Sequence, residues 1–336
     1  MKKEAQIFIG PMSKNIVDAI CETSIRNRIR LGLIPSRRQV EYDGGYVNGW
    51  NTKTFIQHVD SKEANIITQR DHGGPLQGST EDDGKKSLET DCTSGFDLVH
   101  IDPWKKHKRV EDAAAATVEC IRYCYKINTD VGYEVGTEAA IREYSAAEFR
   151  QFLESVESEL GAEFEKIKYG VIQGGTAIVG NKNVGTFNSD RCTEMVSICK
   201  SFGLLSKEHN GDYLYGGQIK KRFDCGLDAI NIAPEFGFIE TNVILNEIIN
   251  NLDSASYDAF YKACYESKKW VKWLPPGVEK APEDIRKLAI LRTSGHYVFN
   301  TKAMGQIKKR YPDLDIKIKN AITSRLMEIL NEITRF

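Results

Sequence analysis

Short apolar segments alternate with helical stretches along most of the chain, and this alternation constrains the fold more than any other feature. Each apolar segment is followed by a stretch of helical periodicity, such as Val110–Ile127, and Ser145 with Glu148 forms a capping-box pattern at a helix start. Eight such units over about 240 residues match an α/β fold of the (β/α)8 TIM-barrel type, which we prefer to an open doubly wound sheet. The predicted strands are Gln6–Ile9, Arg30–Pro35, Asn65–Gln69, Phe96–Ile101, Val131–Val135, Lys168–Gln173, Leu204–Glu208 and Leu227–Ile232.

The composition is that of an ordinary globular protein with balanced charge. The 336 residues are 41% hydrophobic and 28% charged, and the formal net charge is -1. Such a chain has no overall field that would attract nucleic acid or an anionic membrane. No apolar run approaches the roughly 20 residues that span a bilayer, and the polar start Met1-Lys2-Lys3-Glu4 leads directly into a strand. We therefore expect a cytoplasmic protein without nucleic-acid or membrane partners.

The pattern changes near residue 250, after which only helices are predicted. We expect residues 1–250 to form the barrel and residues 251–336 to form a helical C-terminal extension that packs on it. Lys302–Tyr311 and Ile316–Phe336 have amphipathic helical patterns, with no strand between them. Such an extension could cover the barrel bottom, close over its mouth or form a subunit contact, so a homo-oligomer is among the possibilities.

Ionisable side chains follow most of the predicted strands, where the loops of a (β/α)8 barrel build the active site. His72 follows strand 3, Glu134 belongs to the end of strand 5, and His209 follows strand 7, with Gln173 at the end of strand 6. Two imidazoles and a carboxylate are ligands that zinc accepts, and they leave coordination positions open for substrate. These four residues are therefore predicted to bind a divalent metal ion, most simply zinc. The alternative for each histidine alone is a hydrogen-bonded residue that lines a polar barrel mouth.

Further polar residues at the strand ends are candidates for catalysis and substrate binding. Asp71 is the predicted proton carrier, because at the end of a strand two adjacent side chains can both turn into the cavity. Arginine and lysine side chains after strands 2 and 4 could bind a phosphate or carboxylate, although solvated basic loops have the same composition. The remaining candidates are Glu138 for catalysis and Arg37, Arg38, Gln39, Asp102, Lys105 and the C-terminal His296 for substrate binding.

Several of these segments together resemble a known family. The chain looks like the non-catalytic subunit family of class II tagatose-bisphosphate aldolase, which is similar in turn to the zinc-dependent class II ketose-bisphosphate aldolases. The resemblance extends from about residue 7 to residue 250, and more weakly over Arg292–Asn300. It rests on Gln39 to Tyr46, Asp71-His72-Gly73-Gly74-Pro75, His100-Ile101-Asp102, Tyr133-Glu134-Val135-Gly136-Thr137-Glu138, Val171-Ile172-Gln173 and Glu208-His209.

The resemblance implies retro-aldol chemistry on a ketose or ketose phosphate, through an enediolate stabilised by a divalent metal. His72 and His209 would be metal ligands, Asp71 the general acid/base, and Glu134 a ligand or a carboxylate behind the ligands. Asn231 stands where the class II enzymes have an asparagine that contacts substrate.

Two other functions remain open at this point. A ketose or ketose-phosphate epimerase would use the same cleavage, followed by re-addition of the rotated aldehyde. A non-catalytic chain would instead bind an aldolase as its partner subunit. Gln173 bears on this choice, because the catalytic class II enzymes have a histidine ligand at this position and an amide oxygen is a weaker donor.

Overall fold

Eight parallel strands close into a barrel in the computed structural model, which describes residues 5–334. The strands follow one another around the barrel in chain order, and the last pairs with the first through Ile230 and Ile7. The predicted barrel is confirmed. The strands are β1 Ile7–Ile9, β2 Leu31–Leu33, β3 Ile66–Gly73, β4 Leu98–Ile101, β5 Gly132–Val135, β6 Ile167–Ile172, β7 Leu205–Glu208 and β8 Ala229–Ile232.

A helix follows each strand and covers the outside of the barrel. The helix predicted at Val110–Ile127 has these same bounds in the structure. A short antiparallel hairpin, Ile178–Val179 with Lys182–Asn183, interrupts the loop after β6. No helix within residues 5–334 is long and apolar enough to cross a bilayer. The barrel helices are α1 Lys14–Asn27, α2 Thr52–Asp60, α3 Lys85–Ser94, α4 Val110–Ile127, α5 Ala146–Leu160, α6 Ser189–Ser201, α7 Gln218–Asp224 and α8 Pro234–Asn250.

The C-terminal segment is helical, as predicted, and it contacts the barrel in two places. Its last helix packs beside α1 and α8 and carries Arg325, whose Nε lies 2.6 Å from a carboxylate oxygen of Glu235 at the start of α8. Residues 272, 273, 292, 293, 296 and 297 instead border the mouth of the barrel. The final residues of the predicted helix Ile316–Phe336, 335 and 336, lie outside the described residues. The helices of the segment are α9 Ser254–Ser267, α10 Glu283–Ser294, α11 Lys302–Arg310 and α12 Leu314–Thr334.

The barrel interior is layered, because every second side chain of a strand points inward. An apolar layer fills the end at which the strands begin, and it is separate from the larger core between barrel and helices. A polar layer lies above it. The apolar layer includes Phe8, Ile67, Leu98, Tyr169 and Ala229.

The polar layer consists of Gln69, Glu134 and Lys207, all of them fully buried. Lys207 Nζ lies 2.6 Å from Gln69 Oε1 and 2.9 Å from Glu134 Oε2. The same ammonium group is 3.3 Å from the centroid of the Phe8 ring in the apolar layer below. Burial of a charged pair is favourable only when its remaining hydrogen-bonding positions are also satisfied, and here they are shared among three side chains. This layer forms the floor beneath the strand ends.

Candidate active site

A bulge at the end of β3 directs two consecutive side chains into the barrel mouth. The pairing of β3 with β4 shifts between Arg70 and Gly73, and His72 has a φ of 49° in the left-handed region. A bulge of this kind changes the direction of a side chain that would otherwise face the other side of the sheet. A Cβ atom on Gly73 would stand 2.9 Å from His100 O, so the bulge can pack against β4 only with glycine there. The strand extends four residues beyond its predicted end at Gln69.

Four side chains meet at this mouth in an arrangement that could hold a metal ion. Asp71, His72, His100 and His209 each offer one ligand atom, and these atoms all lie within 4.8 Å of one another. The three imidazole centroids are separated by 5.0, 5.2 and 5.0 Å. Asp71 Oδ1 lies 3.7 Å from His72 Nε2 and 3.9 Å from His209 Nδ1. We refer to these four residues as the histidine cluster.

The outer nitrogen of each histidine contacts an oxygen that can only accept a hydrogen bond. His72 Nδ1 lies 2.6 Å from Asp102 Oδ2, His209 Nε2 lies 2.7 Å from Glu134 Oε1, and His100 Nε2 lies 3.0 Å from the carbonyl oxygen of Gly136. The nitrogen of each ring that faces away from the cluster must donate a hydrogen bond to this oxygen. In a neutral ring, the lone pair is then on the other nitrogen, which faces the cluster. Metal-ligating histidines are oriented in this same way.

The charges around the histidine cluster favour a cation. Burial lowers the pKa of His72, but Asp71, Asp102 and Glu138 outweigh this effect and raise the pKa to about 10. Burial lowers the pKa of His100, which therefore stays neutral at pH 7. The negative field that stabilises a proton on His72 would equally stabilise a divalent ion between the rings, with release of that proton.

Unsatisfied polar atoms at the mouth also fit a bound ion and substrate. Asp71 Oδ1 is buried and has no hydrogen-bond partner within the described residues. Both polar atoms of the Asn231 side chain are buried and unpaired as well. Buried polar atoms are nearly always hydrogen-bonded in folded proteins, so these positions point to a ligand or ordered water. The residues present therefore fit a divalent metal ion.

Two predicted metal ligands have other partners in the structure. Glu134 lies behind His209, and Lys207, His100 and His209 keep the pKa of its carboxyl well below the usual range although burial opposes this. The Gln173 amide donates to the carbonyl oxygens of Thr137 and Arg142 and accepts from the Tyr144 N–H. Neither residue belongs to the histidine cluster.

His100 is the cluster member that the sequence analysis did not select. It lies on β4, one strand beyond the Asp71-His72 pair, and it is fully buried. The signal was present, because His100 precedes Asp102 at the end of a predicted strand and has the inward parity of Leu98. The His72 backbone N–H donates to His100 Nδ1 over 3.3 Å, a long hydrogen bond that would compete only weakly with a metal ion.

Two predicted substrate-binding residues have structural partners instead. Arg37 is 3% exposed, forms ion pairs with Glu41 and Asp82, and is not among the residues that line the cavity. Asp102 is fully buried and orients His72, while it also accepts from Thr137 Oγ1 and Trp104 N.

Most of the other predicted residues border one cavity of about 580 Å³ that opens above the histidine cluster, whereas His209 and Asn231 are not among its lining residues. Glu138 lies at its floor, where Glu138 Oε2 accepts from Asn210 Nδ2 over 2.7 Å and is 3.7 Å from His72 Nε2. The predicted residues that line the cavity are Arg38, Gln39, Asp71, His72, Lys105, Glu138 and His296.

Comparisons with known proteins agree on the fold. Neither a scan of protein-family models nor a search of curated protein sequences finds a match. Among solved structures, a probable tagatose 6-phosphate kinase from Sinorhizobium meliloti 1021 aligns with a TM-score of 0.79 at 13% identity, over 98% of this chain and 100% of that chain.

Two further structures are an aldolase and an epimerase by their names. The YdjI aldolase of Escherichia coli K12 aligns with a TM-score of 0.59 at 12% identity, over 99% of this chain and 92% of that chain. The fructuronate-tagaturonate epimerase UxaE of Cohnella laeviribosi aligns with a TM-score of 0.61 at 11% identity, over 99% of this chain and 81% of that chain. At identities this low, the TM-scores establish a shared fold and no more. This chain has that fold in common with an aldolase and an epimerase.

Proposed function

We propose that this chain is a divalent-metal-dependent enzyme that breaks and forms a carbon–carbon bond in a ketose or ketose phosphate. The observation that carries the proposal is the histidine cluster, in which three imidazole nitrogens converge beside a carboxylate oxygen without a hydrogen-bond partner. His72, His100 and His209 would hold the ion, and zinc is the first candidate because it accepts nitrogen ligands and tolerates an open site. A divalent ion bound there would polarise a substrate carbonyl.

The side chains around the proposed metal position would act as general base, bind substrate and orient the histidines. Asp71 is proposed as the general base, because its unpaired Oδ1 can take the proton from the substrate hydroxyl next to the breaking bond and return it in the reverse reaction. Asn231 has an unpaired donor and an unpaired acceptor, which suit a substrate hydroxyl. Glu134 and Asp102 hold His209 and His72 in orientation.

An epimerase is the second candidate, and one feature of the site favours it. Glu138 Oε2 and Asp71 Oδ1 each lie 3.7 Å from His72 Nε2, so two carboxylates flank the same position. An enzyme that cleaves a ketose, rotates the aldehyde and adds it back needs a proton carrier for each orientation of the aldehyde. Asp71 and Glu138 could serve these two orientations.

Metal analysis and product analysis on the purified protein test the proposal. We expect a stoichiometric divalent metal ion and turnover of at least one sugar in a panel of ketoses and ketose phosphates followed by NMR. A released aldehyde fragment would identify an aldolase, and a new ketose without fragments would identify an epimerase. Absence of both metal and turnover would contradict the proposal and favour the non-catalytic partner subunit of an aldolase.

The Asp71→Asn variant tests the division of roles within the cluster. We expect it to keep the metal ion and to lose turnover by at least about a hundredfold, because the base is gone while the three histidines remain. Asp43→Asn is the matched control, since Asp43 is exposed and outside the cavity. Loss of the metal in Asp71→Asn would instead assign Asp71 as a ligand.

A further inference from the structure

The cavity above the histidine cluster has more cationic than anionic side chains in its lining. Its lining includes five cationic side chains and two carboxylates, and both carboxylates, Asp71 and Glu138, lie at the cluster. The whole chain has a formal net charge of only -1, so this concentration of positive charge is local. The cationic residues are Arg38, Lys105, Lys108, Lys272 and Arg292.

None of the five cations has an ion pair among the described residues, and three of them, Arg38, Lys105 and Lys272, also make no short hydrogen bond there. Arg38 has a single long hydrogen bond of 3.5 Å to Gly78 O, and Lys272 contacts the Trp273 ring at 4.6 Å from its centroid. The other two cations are already engaged, because Lys108 donates to Ile141 O and Arg292 donates to Asn242. Arg38, Lys105 and Lys272 are thus the cations that remain available to a ligand.

These three cations come from segments far apart in the chain and still lie close together. Arg38 follows β2, Lys105 follows β4, and Lys272 belongs to the C-terminal segment. Burial, and after it the charges of Arg38 and Lys272, lower the pKa of the Lys105 amine. Asp102 and Glu138 act in the opposite sense on Lys105, and Glu138 does so on Lys272, so the carboxylates compensate these cations only in part. A bound anion would remove the repulsion that remains.

We propose that Arg38, Lys105 and Lys272 bind a terminal anionic group of the substrate, either a carboxylate or a phosphate. The inference rests on the proposed function, because it assigns the anionic group to the same substrate whose carbonyl would lie at the histidine cluster. A planar guanidinium with two ammonium groups suits an oxyanion of either kind. The volume of about 580 Å³ is in the range of small-molecule sites.

An aromatic wall holds the C-terminal segment at this end of the cavity. Trp273 Nε1 donates to the Tyr297 hydroxyl over 3.1 Å, and the Tyr297 ring is 4.8 Å from that of Tyr46. His296 lies in the same wall, where burial lowers its pKa to about 3, so it is neutral and not an anion-binding cation at pH 7. Lys272 precedes Trp273 of this wall and contacts its ring, so the proposed anion site includes a residue of the C-terminal segment.

Calorimetric titration of the intact protein tests the anion site without requiring turnover. The probes are inorganic phosphate and D-gluconate, with uncharged D-glucitol as the matched sugar. We expect at least one anion to bind at millimolar concentration and D-glucitol to bind more weakly. Preference for phosphate would indicate a sugar phosphate, and preference for D-gluconate would indicate a sugar acid. Undetectable binding of both anions, or equal binding of D-gluconate and D-glucitol when phosphate does not bind, would overturn the proposal.

Variants that each remove one positive charge test where the anion binds. Lys105→Met and Lys272→Met should each weaken the bound anion by about tenfold, as expected for loss of one charged contact. Lys106→Met should have no effect, because Lys106 is exposed and does not line the cavity. Equal weakening in all three variants, or none in the first two, would contradict the site. Repeating the titration after chelation of metal separates this inference from the proposed function, since anion binding should survive metal removal.

Discussion

The amide of Gln173 illustrates how one residue redirects the interpretation of a site. Its position at the end of β6 matches the place of a metal ligand, and the sequence analysis assigned it that role. In the structure both ends of the amide bind backbone groups of residues 137–144, so it organises the loop after β5. The third imidazole near Asp71 comes from His100 on β4 instead.

The first prediction concerns this exchange of ligands. His100→Gln should reduce metal affinity by at least about tenfold, because one of three imidazole lone pairs is lost. Gln173→Ala should leave the metal affinity of the folded protein unchanged, because the Gln173 amide does not face the cluster. Competition with a chromogenic chelator measures both affinities. The reverse pattern would restore Gln173 as the ligand.

The second prediction concerns the buried polar layer. Lys207→Met should lower the free energy of unfolding by about 3 to 5 kcal/mol, because it leaves the Glu134 carboxylate buried without its ammonium partner. Adding Glu134→Gln should cost less than the sum of the two single changes, since the uncompensated charge is then absent. Urea unfolding gives these energies. Lys168→Met, an exposed lysine on β6, is the control and should change stability by less than about 0.5 kcal/mol.

At the scale of elements, local signals predicted helix starts and most strand ends, but they did not predict the end of β3. The start of α5 was predictable because a capping box involves residues only three apart. Ser145 Oγ accepts from Glu148 N over 3.1 Å, and Glu148 Oε2 accepts from Ser145 N over 2.8 Å. The bulge that extends β3 could not be predicted in this way, because it depends on packing of Gly73 against His100 of the neighbouring strand.

The third prediction tests the capping box. Ser145→Ala should destabilise the protein by about 1 kcal/mol, because the backbone N–H of Glu148 loses its acceptor. Ser155→Ala in the same helix is the comparison, since Ser155 is half-buried and its hydroxyl donates back to Gln151 O within the helix. Thermal unfolding followed by circular dichroism distinguishes the two. A loss in Ser155→Ala as large as in Ser145→Ala would show that capping is not the cause.

At the scale of the whole molecule, the C-terminal segment is joined to the barrel by packing and by charge. One face of α12 is buried, and Arg325 on this helix reaches Glu235 and the carbonyl oxygen of Leu214 near the mouth. We propose that the barrel, residues 1–250, and the extension, residues 251–336, unfold as one cooperative unit. The buried row on α12 is Ile318, Ile322, Leu326 and Ile329.

The fourth prediction tests this coupling. Ile322→Ala should lower the stability of the whole protein by about 2 to 5 kcal/mol, because Ile322 is fully buried between α12 and the barrel helices. Ile316→Ala, at a residue that is 57% exposed, should have little effect. Urea unfolding followed by circular dichroism and by fluorescence, to which buried Trp104 of the barrel contributes, should give coincident transitions. A separate early transition in Ile322→Ala would show that α12 unfolds by itself.

The sequence by itself determined the barrel and most of its strand ends, because strand and helix periodicity are local properties. It also indicated Asp71, His72 and His209 as site residues, because ionisable residues that follow apolar strands can be recognised in the sequence. Only the tertiary structure decided that His100 completes the cluster and that Arg37 does not reach the mouth. Both results depend on hydrogen bonds and ion pairs with residues elsewhere in the chain. The sequence does not predict them, because contacts between distant segments leave no periodic pattern in it.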